Sequence, residues 1–246
     1  MPAGHQAAGA RVAGVPVLVA RPAEAPRPWP LVLWCHGFRA DALAHAAELE
    51  ACALDGFLAV GIDAVGHGAR VDPDLHQRLR VTPGGALAVM LEQVEATLHE
   101  LPALVDGLAA AYGADRTRCS MVGISMGALL TYRAIAAGLP LRSAVALLGT
   151  PEWDSATSPH RALEAFRRVA LLSITAEHDA SVPPGAVHAL HAALAARLPV
   201  RPSQHHVLAG AGHLTSAREW AEAMGRTTDW LRAHGRGGGA ARAVRA

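Results

Sequence analysis

The sequence predicts an α/β protein, built as a mostly parallel sheet with helices on both faces. Three observations carry this. Short, wholly apolar or nearly apolar runs such as LVLWCH at 31–36 and FLAVGIDA at 57–64 read as strands buried on both faces. Longer Ala- and Leu-rich segments of helical period alternate with them, the order that builds parallel strands joined by crossover helices. The 246 residues, 51% hydrophobic and 17% charged, suffice for a packed domain that needs no disulfide or metal to hold it.

The first strand is expected at 11–20, before a Pro-rich turn at 21–30. After the strand at 31–36, Asp41 is placed to cap a helix running to about Asp55, which Gly56 closes. The strand at 57–64 leads into 65–85, an irregular stretch of Gly, Pro, His and Arg and the longest loop. A long helix follows at 86–112, where Pro102 is expected to kink or split it. Strands are then expected at 119–124, 143–149, 169–175 and 204–208, with helices at 126–137 and 184–198 and a short one within 152–168. In a last helix at 215–234, Trp220, Met224, Thr227 and Leu231 recur at helical spacing as one buried stripe. A single domain is expected over 1–234, with a disordered tail, GRGGGAARAVRA, at 235–246.

Composition excludes several functions. The formal charge is +1, so no basic face for nucleic acid or an anionic membrane is expected. All 22 basic residues are Arg, and without lysine neither Schiff-base nor Ser-Lys chemistry is available. Cys35, Cys52 and Cys119 sit in apolar runs with no zinc or redox spacing and read as buried small hydrophobes. No run of about 18 apolar residues occurs, so no membrane span is expected. The N-terminus lacks the pattern of a secretory leader, so a cytoplasmic location is expected.

The chemistry concentrates on Gly123-Ile-Ser125-Met-Gly127. By this chain's own composition, Gly-x-Ser-x-Gly should arise by chance about 0.1 times. Its setting adds weight, because an apolar strand (CSMVGI) enters it and an Ala/Leu helix leaves it. A turn this tight strains the serine backbone and needs glycine on both sides, and the next helix aims its first N–H groups at developing negative charge. A serine nucleophile requires a base and an acid. Asp179 and His213 lie just past predicted strands, in the order Ser, Asp, His, at the sheet rim where α/β proteins bind ligands.

Other residues compete for these roles. Asp154 is the alternative acid, Glu177 and His178 share the Asp179 loop, and His205 and His206 read as structural or exposed. Backbone N–H groups of Met126 and Phe38 are the expected oxyanion donors, with His36 as a structural hydrogen-bonding residue. Phe38 and Trp153, with parts of 65–85, are expected to line the substrate pocket.

Together these residues resemble the α/β-hydrolase superfamily, over about 11–234. Within it, the run IDAVGHGAR at 62–70 and Gly37-Phe38 are similar to small bacterial carboxylesterases related to the dienelactone-hydrolase and prolyl-oligopeptidase-like branches. The resemblance implies an eight-stranded, mostly parallel sheet and hydrolysis of short acyl esters. Dienelactone hydrolases proper carry cysteine at the elbow where this chain has Ser125, and dehalogenases carry aspartate. About 18 residues separate the strand ending near Thr150 from that beginning near Val169, too few for a large cap domain.

The expected activity is therefore that of a serine carboxylesterase on a small-molecule ester, as a monomer or homodimer, with no cofactor. A thioesterase or peptidase/amidase of the same fold is the alternative, and a non-catalytic binding protein of that fold is the third reading. His36, His67 and His213 show no metal-binding spacing, so no metal is expected.

Overall fold

The computed structural model describes residues 6–23, 25–197 and 201–236. Residues 237–246 of the expected tail lie outside the described residues. One sheet holds eight strands: β1 (Ala8–Val12), β2 (Val15–Ala20), β3 (Trp29–Cys35), β4 (Leu58–Ile62), β5 (Ala114–Ile124), β6 (Ser143–Leu147), β7 (Ala170–Ala176) and β8 (Ser203–Leu208). Their spatial order is β1-β2-β4-β3-β5-β6-β7-β8. β2 runs antiparallel to both β1 and β4, and all other neighbours are parallel.

The single strand expected at 11–20 is a hairpin. Ala13 and Gly14 turn the chain with φ of 49° and 84°. Such a two-residue turn needs positive φ at both positions, and alanine there gives no sequence signal.

Period-2 alternation divides the core between the sheet's faces. Leu31, Leu33 and Cys35 pack with helices α3 (Gly85–Tyr112), α4 (Met126–Ala136) and α6 (Gly185–Ala196). Val32 and Trp34, from the same strand, pack with α1 (Ala46–Leu54) and α7 (Ala217–His234). Each of these fully buried side chains contributes about 1.5–3 kcal/mol.

The Asp41 and Gly56 assignments fall where the sequence puts them, and a further cap closes on α7. Asp41 accepts a hydrogen bond from the Ala44 N–H (3.1 Å) at a single 3-10 turn that leads into α1, and Gly56 (φ 82°) ends the segment. Ser216 and Glu219 form a capping box on α7. Two expectations are corrected. Pro102 does not split α3, which continues through it as one helix. The proline is exposed, while Leu101, Leu104 and Leu108 bury the opposite face, and that packing outweighs the lost hydrogen bond. The stretch 65–85 is not wholly irregular, because it contains α2 (Leu75–Val81). Arg78 ties this helix back through ion pairs to Asp72 and Glu92. The segment at 152–168 contributes the short α5 (Leu163–Phe166).

Candidate active site

Ser125 stands where β5 hands over to α4. Its φ of 52° and ψ of −109° place a non-glycine residue in strained backbone territory. The turn is fastened by the Ser125 N–H, which donates to the Leu147 carbonyl of β6 (2.8 Å). The two flanking glycines are sterically required. A Cβ on Gly123 would lie 2.0 Å from the Gly127 carbonyl oxygen, and one on Gly127 would lie 2.1 Å from the Cys35 carbonyl oxygen. The second contact also presses the end of β3 against the start of α4.

His213 lies between β8 and α7. Its Nε2 is 3.1 Å from Ser125 Oγ, and its Nδ1 is 2.7 Å from Asp179 Oδ2. Asp179 follows β7, and its side chain is fully buried. Its second oxygen accepts from the Ser181 and Val182 N–H groups, at 2.9 and 2.8 Å. Such charge-assisted bonds are what a buried carboxylate requires. A carboxylate facing Nδ1 assigns the proton to that nitrogen, which leaves Nε2 as the acceptor facing the hydroxyl.

The acid and imidazole loops are also joined directly. The His178 N–H donates to the Ala211 carbonyl (2.8 Å), and Glu177 accepts from the Gly210 N–H (2.8 Å). Glu177 and His178 thus serve the loop junction. His205 bonds Thr175, His206 bonds Glu222, and Asp154 is exposed, so none of these three meets Ser125 or His213.

His36, at the end of β3, is buried and uses both ring nitrogens on backbone. Nδ1 donates to the Gly37 carbonyl (2.8 Å), and Nε2 accepts from the Ala64 N–H (3.1 Å). Burial, reinforced by neighbouring His67, lowers its pKa to about 4, against the opposing pull of the Gly37 bond and Asp63. Asp63 braces the same region by accepting from the Ala42 and Ala69 N–H groups, at 2.9 and 2.8 Å. Arg70 donates to the Asp63 carbonyl and grips Glu100 with two bonds. This framework holds Gly37 so close to the nucleophile that a Cβ there would lie 3.7 Å from Ser125 Cβ. Among the described residues, neither the Phe38 nor the Met126 N–H has a hydrogen-bond acceptor.

A cleft of about 590 Å³ opens beside Ser125. Its walls come from the start of α3 (Leu87, Met90), from Leu129 on α4, and from the loops carrying Val182 and Glu152. The α3 wall was invisible in the sequence, since nothing there shows that the helix start reaches the nucleophile. Trp153 does not line the cleft, contrary to expectation. It is 6% exposed, packs in the core beside α4, and is fixed by its N–H to Ser158 Oγ (2.9 Å). The Phe38 ring also stays outside the lining and meets the His67 ring edge-on at 5.5 Å.

A second cavity, about 520 Å³, lies at the far end of β5 by Cys119 and Leu139 and contains none of these groups. The three cysteines are free and buried, and burial pushes each thiol up to about 12, far from a reactive thiolate. Among the described residues, no group of three or more His, Cys, Asp or Glu is arranged to hold a metal ion. No helix among them is long and apolar enough to cross a membrane.

The family model described as "Dienelactone hydrolase family" matches residues 15–233. The chain belongs to the dienelactone hydrolase family. This family member is a hydrolase with the α/β-hydrolase fold, and among the described residues no large cap covers its sheet. It is similar to a solved Thermus thermophilus protein at 23% identity and a TM-score of 0.74, over 92% of this chain and 98% of that one. A Klebsiella pneumoniae protein described as a dienelactone hydrolase is similar at 20% identity and a TM-score of 0.72, over 92% and 97% of the two chains. The Pyrococcus horikoshii acylaminoacyl peptidase shares 15% identity with a TM-score of 0.72, over 98% of this chain and 44% of that one. At these identities the three likenesses show a shared fold. No curated protein matches the chain.

Proposed function

We propose that this dienelactone hydrolase family member is a serine carboxylesterase that cleaves small acyl esters through an acyl-enzyme on Ser125. The observation that carries the reading is the unbroken chain from Ser125 Oγ to His213 Nε2 (3.1 Å) and from His213 Nδ1 to Asp179 Oδ2 (2.7 Å). His213 removes the hydroxyl proton as Ser125 Oγ bonds the ester carbonyl carbon. Asp179 holds the ring and stabilises the imidazolium. The tetrahedral oxyanion is held by the Met126 N–H, at the positive end of α4, and by the Phe38 N–H.

Collapse of the intermediate breaks the bond to the leaving alcohol, which takes its proton from His213. Water then bonds the acyl carbon as it gives a proton to His213, and the bond from that carbon to Ser125 Oγ breaks as His213 returns the proton to Ser125 and the acid leaves. No cofactor enters these steps. The acting unit is one domain reaching to His234, soluble and cytoplasmic. A cleft with apolar walls and no large cap suits short acyl chains.

An amide or thioester substrate would use the same steps, and similarity in fold to an acylaminoacyl peptidase keeps that reading open. The test is a panel of p-nitrophenyl esters, acyl thioesters and aminoacyl amides, with initial rates compared between the protein and Ser125→Ala. Esters are expected to be cleaved fastest, and by the unsubstituted protein alone. Equal ester cleavage by the Ser125→Ala protein overturns the mechanism, and amides outrunning esters overturns the substrate class.

A further inference from the structure

Glu152 is the one charged residue among the described residues lining the cleft beside Ser125. The remaining lining is apolar or hydroxyl-bearing, as with Leu87, Met90, Leu129, Val182, Thr150 and Ser181. Some carboxylates elsewhere are neutralised by arginine, such as Glu95 by Arg133 and Glu100 by Arg70. The Glu152 carboxylate is exposed and has no hydrogen bond or ion pair among the described residues.

Its backbone, by contrast, is held in place. The Glu152 N–H donates to Thr150 Oγ1 (3.1 Å), and the next residue, Trp153, is anchored in the core at 6% exposure. A fixed loop thus presents one uncompensated negative charge at a cleft with otherwise uncharged walls. With no other charge on the walls to oppose it, this carboxylate favours a cation and disfavours an anion, by the modest amount that an exposed, salt-screened charge supplies.

We propose that Glu152 is a specificity-determining residue that selects esters carrying an ammonium group on the acyl or the alcohol side. The inference rests on the serine-hydrolase reading and names the substrate class of that site. The ammonium pairs with the carboxylate while the ester carbonyl meets Ser125, and an anionic substrate of the same shape is disfavoured. Because the Glu152 carboxylate makes no bond among the described residues, Glu152→Gln is expected to keep the fold and remove only the charge.

Two near-isosteric pairs test this. For the acyl side, the p-nitrophenyl ester of 6-aminohexanoic acid is compared with that of heptanoic acid. For the alcohol side, butyrylcholine is compared with 3,3-dimethylbutyl butyrate. The readout is the ratio of kcat/KM, cationic over neutral, in the protein and in Glu152→Gln. In at least one pair the ratio is expected to favour the cation and to fall about five- to tenfold on substitution, with added salt lowering it in the protein but not in the variant. Ratios unchanged by Glu152→Gln in both pairs, with esters still cleaved through Ser125, overturn this inference alone. No cleavage of any of the four esters overturns the serine-hydrolase reading and this inference with it.

Discussion

His36, after β3, and His213, after β8, occupy similar places at the carboxyl rim of the sheet and meet different partners. Backbone groups take both nitrogens of His36, and burial keeps its ring neutral, with a pKa near 4. Protonating it would break the bond from the Ala64 N–H. His213 stands between a buried carboxylate and a hydroxyl, with its side chain 24% exposed. The contrast teaches that the partners of an imidazole, more than its position on the fold, decide whether it braces a loop or faces a hydroxyl with a free ring nitrogen, the placement on which the proposed role of His213 rests.

The contrast can be broken at either histidine's network. Ser125→Ala is expected to lower kcat on p-nitrophenyl acetate by about 10⁵- to 10⁶-fold with the circular dichroism spectrum unchanged. Asp179→Asn comes next, with a loss of about 10⁴-fold, because an amide cannot hold the His213 tautomer or stabilise its imidazolium. A loss of only a few-fold there would mean that His213 works without its carboxylate.

His36→Asn inverts the pattern. It should cost about 2 kcal/mol in urea unfolding through lost backbone bonds, while kcat falls less than tenfold. It also sharpens the pH dependence. His36 has an unfolded value of 6.5 and a folded value of about 4, so between these the unfolded chain binds more protons. Its stabilising contribution is complete above about pH 6.5 and declines by up to about 3 kcal/mol as pH falls towards 4. Urea midpoints at pH 7 and pH 4.5 should therefore converge in His36→Asn relative to the unsubstituted protein. Equal pH slopes would show that the ring is not held neutral. The smallest effect belongs to Asp154→Asn, since that side chain is exposed and apart from His213, and kcat should stay within about twofold of the starting value.

The sequence made the parallel strands legible because burial on both faces leaves an apolar run, unbroken in β3 and β4 and interrupted only by Ser173 and Thr175 in β7. Ser125 and Asp179 were legible because each follows a buried, largely apolar strand, while β8 before His213 (SQHHVL) is mostly polar, so His213 was legible from its place in the order Ser, Asp, His just past the last strand. What escaped depended on pairings that sequence does not encode locally. The β1–β2 hairpin turns on a left-handed alanine, and unbroken α3 depends on packing that outweighs Pro102. Trp153, expected at the pocket wall, has its backbone N–H held by Ser158 and its ring packed in the core. The α3 side of the cleft depends on a helix start more than 30 positions before the nucleophile in sequence.

The most direct test of a nucleophilic Ser125 is covalent. The protein is treated with a fluorophosphonate, digested, and mapped by mass spectrometry. A single adduct is expected on the peptide carrying Ser125, absent in Ser125→Ala and strongly slowed in a His213→Ala variant. No adduct, or one equally present in Ser125→Ala, would contradict the account.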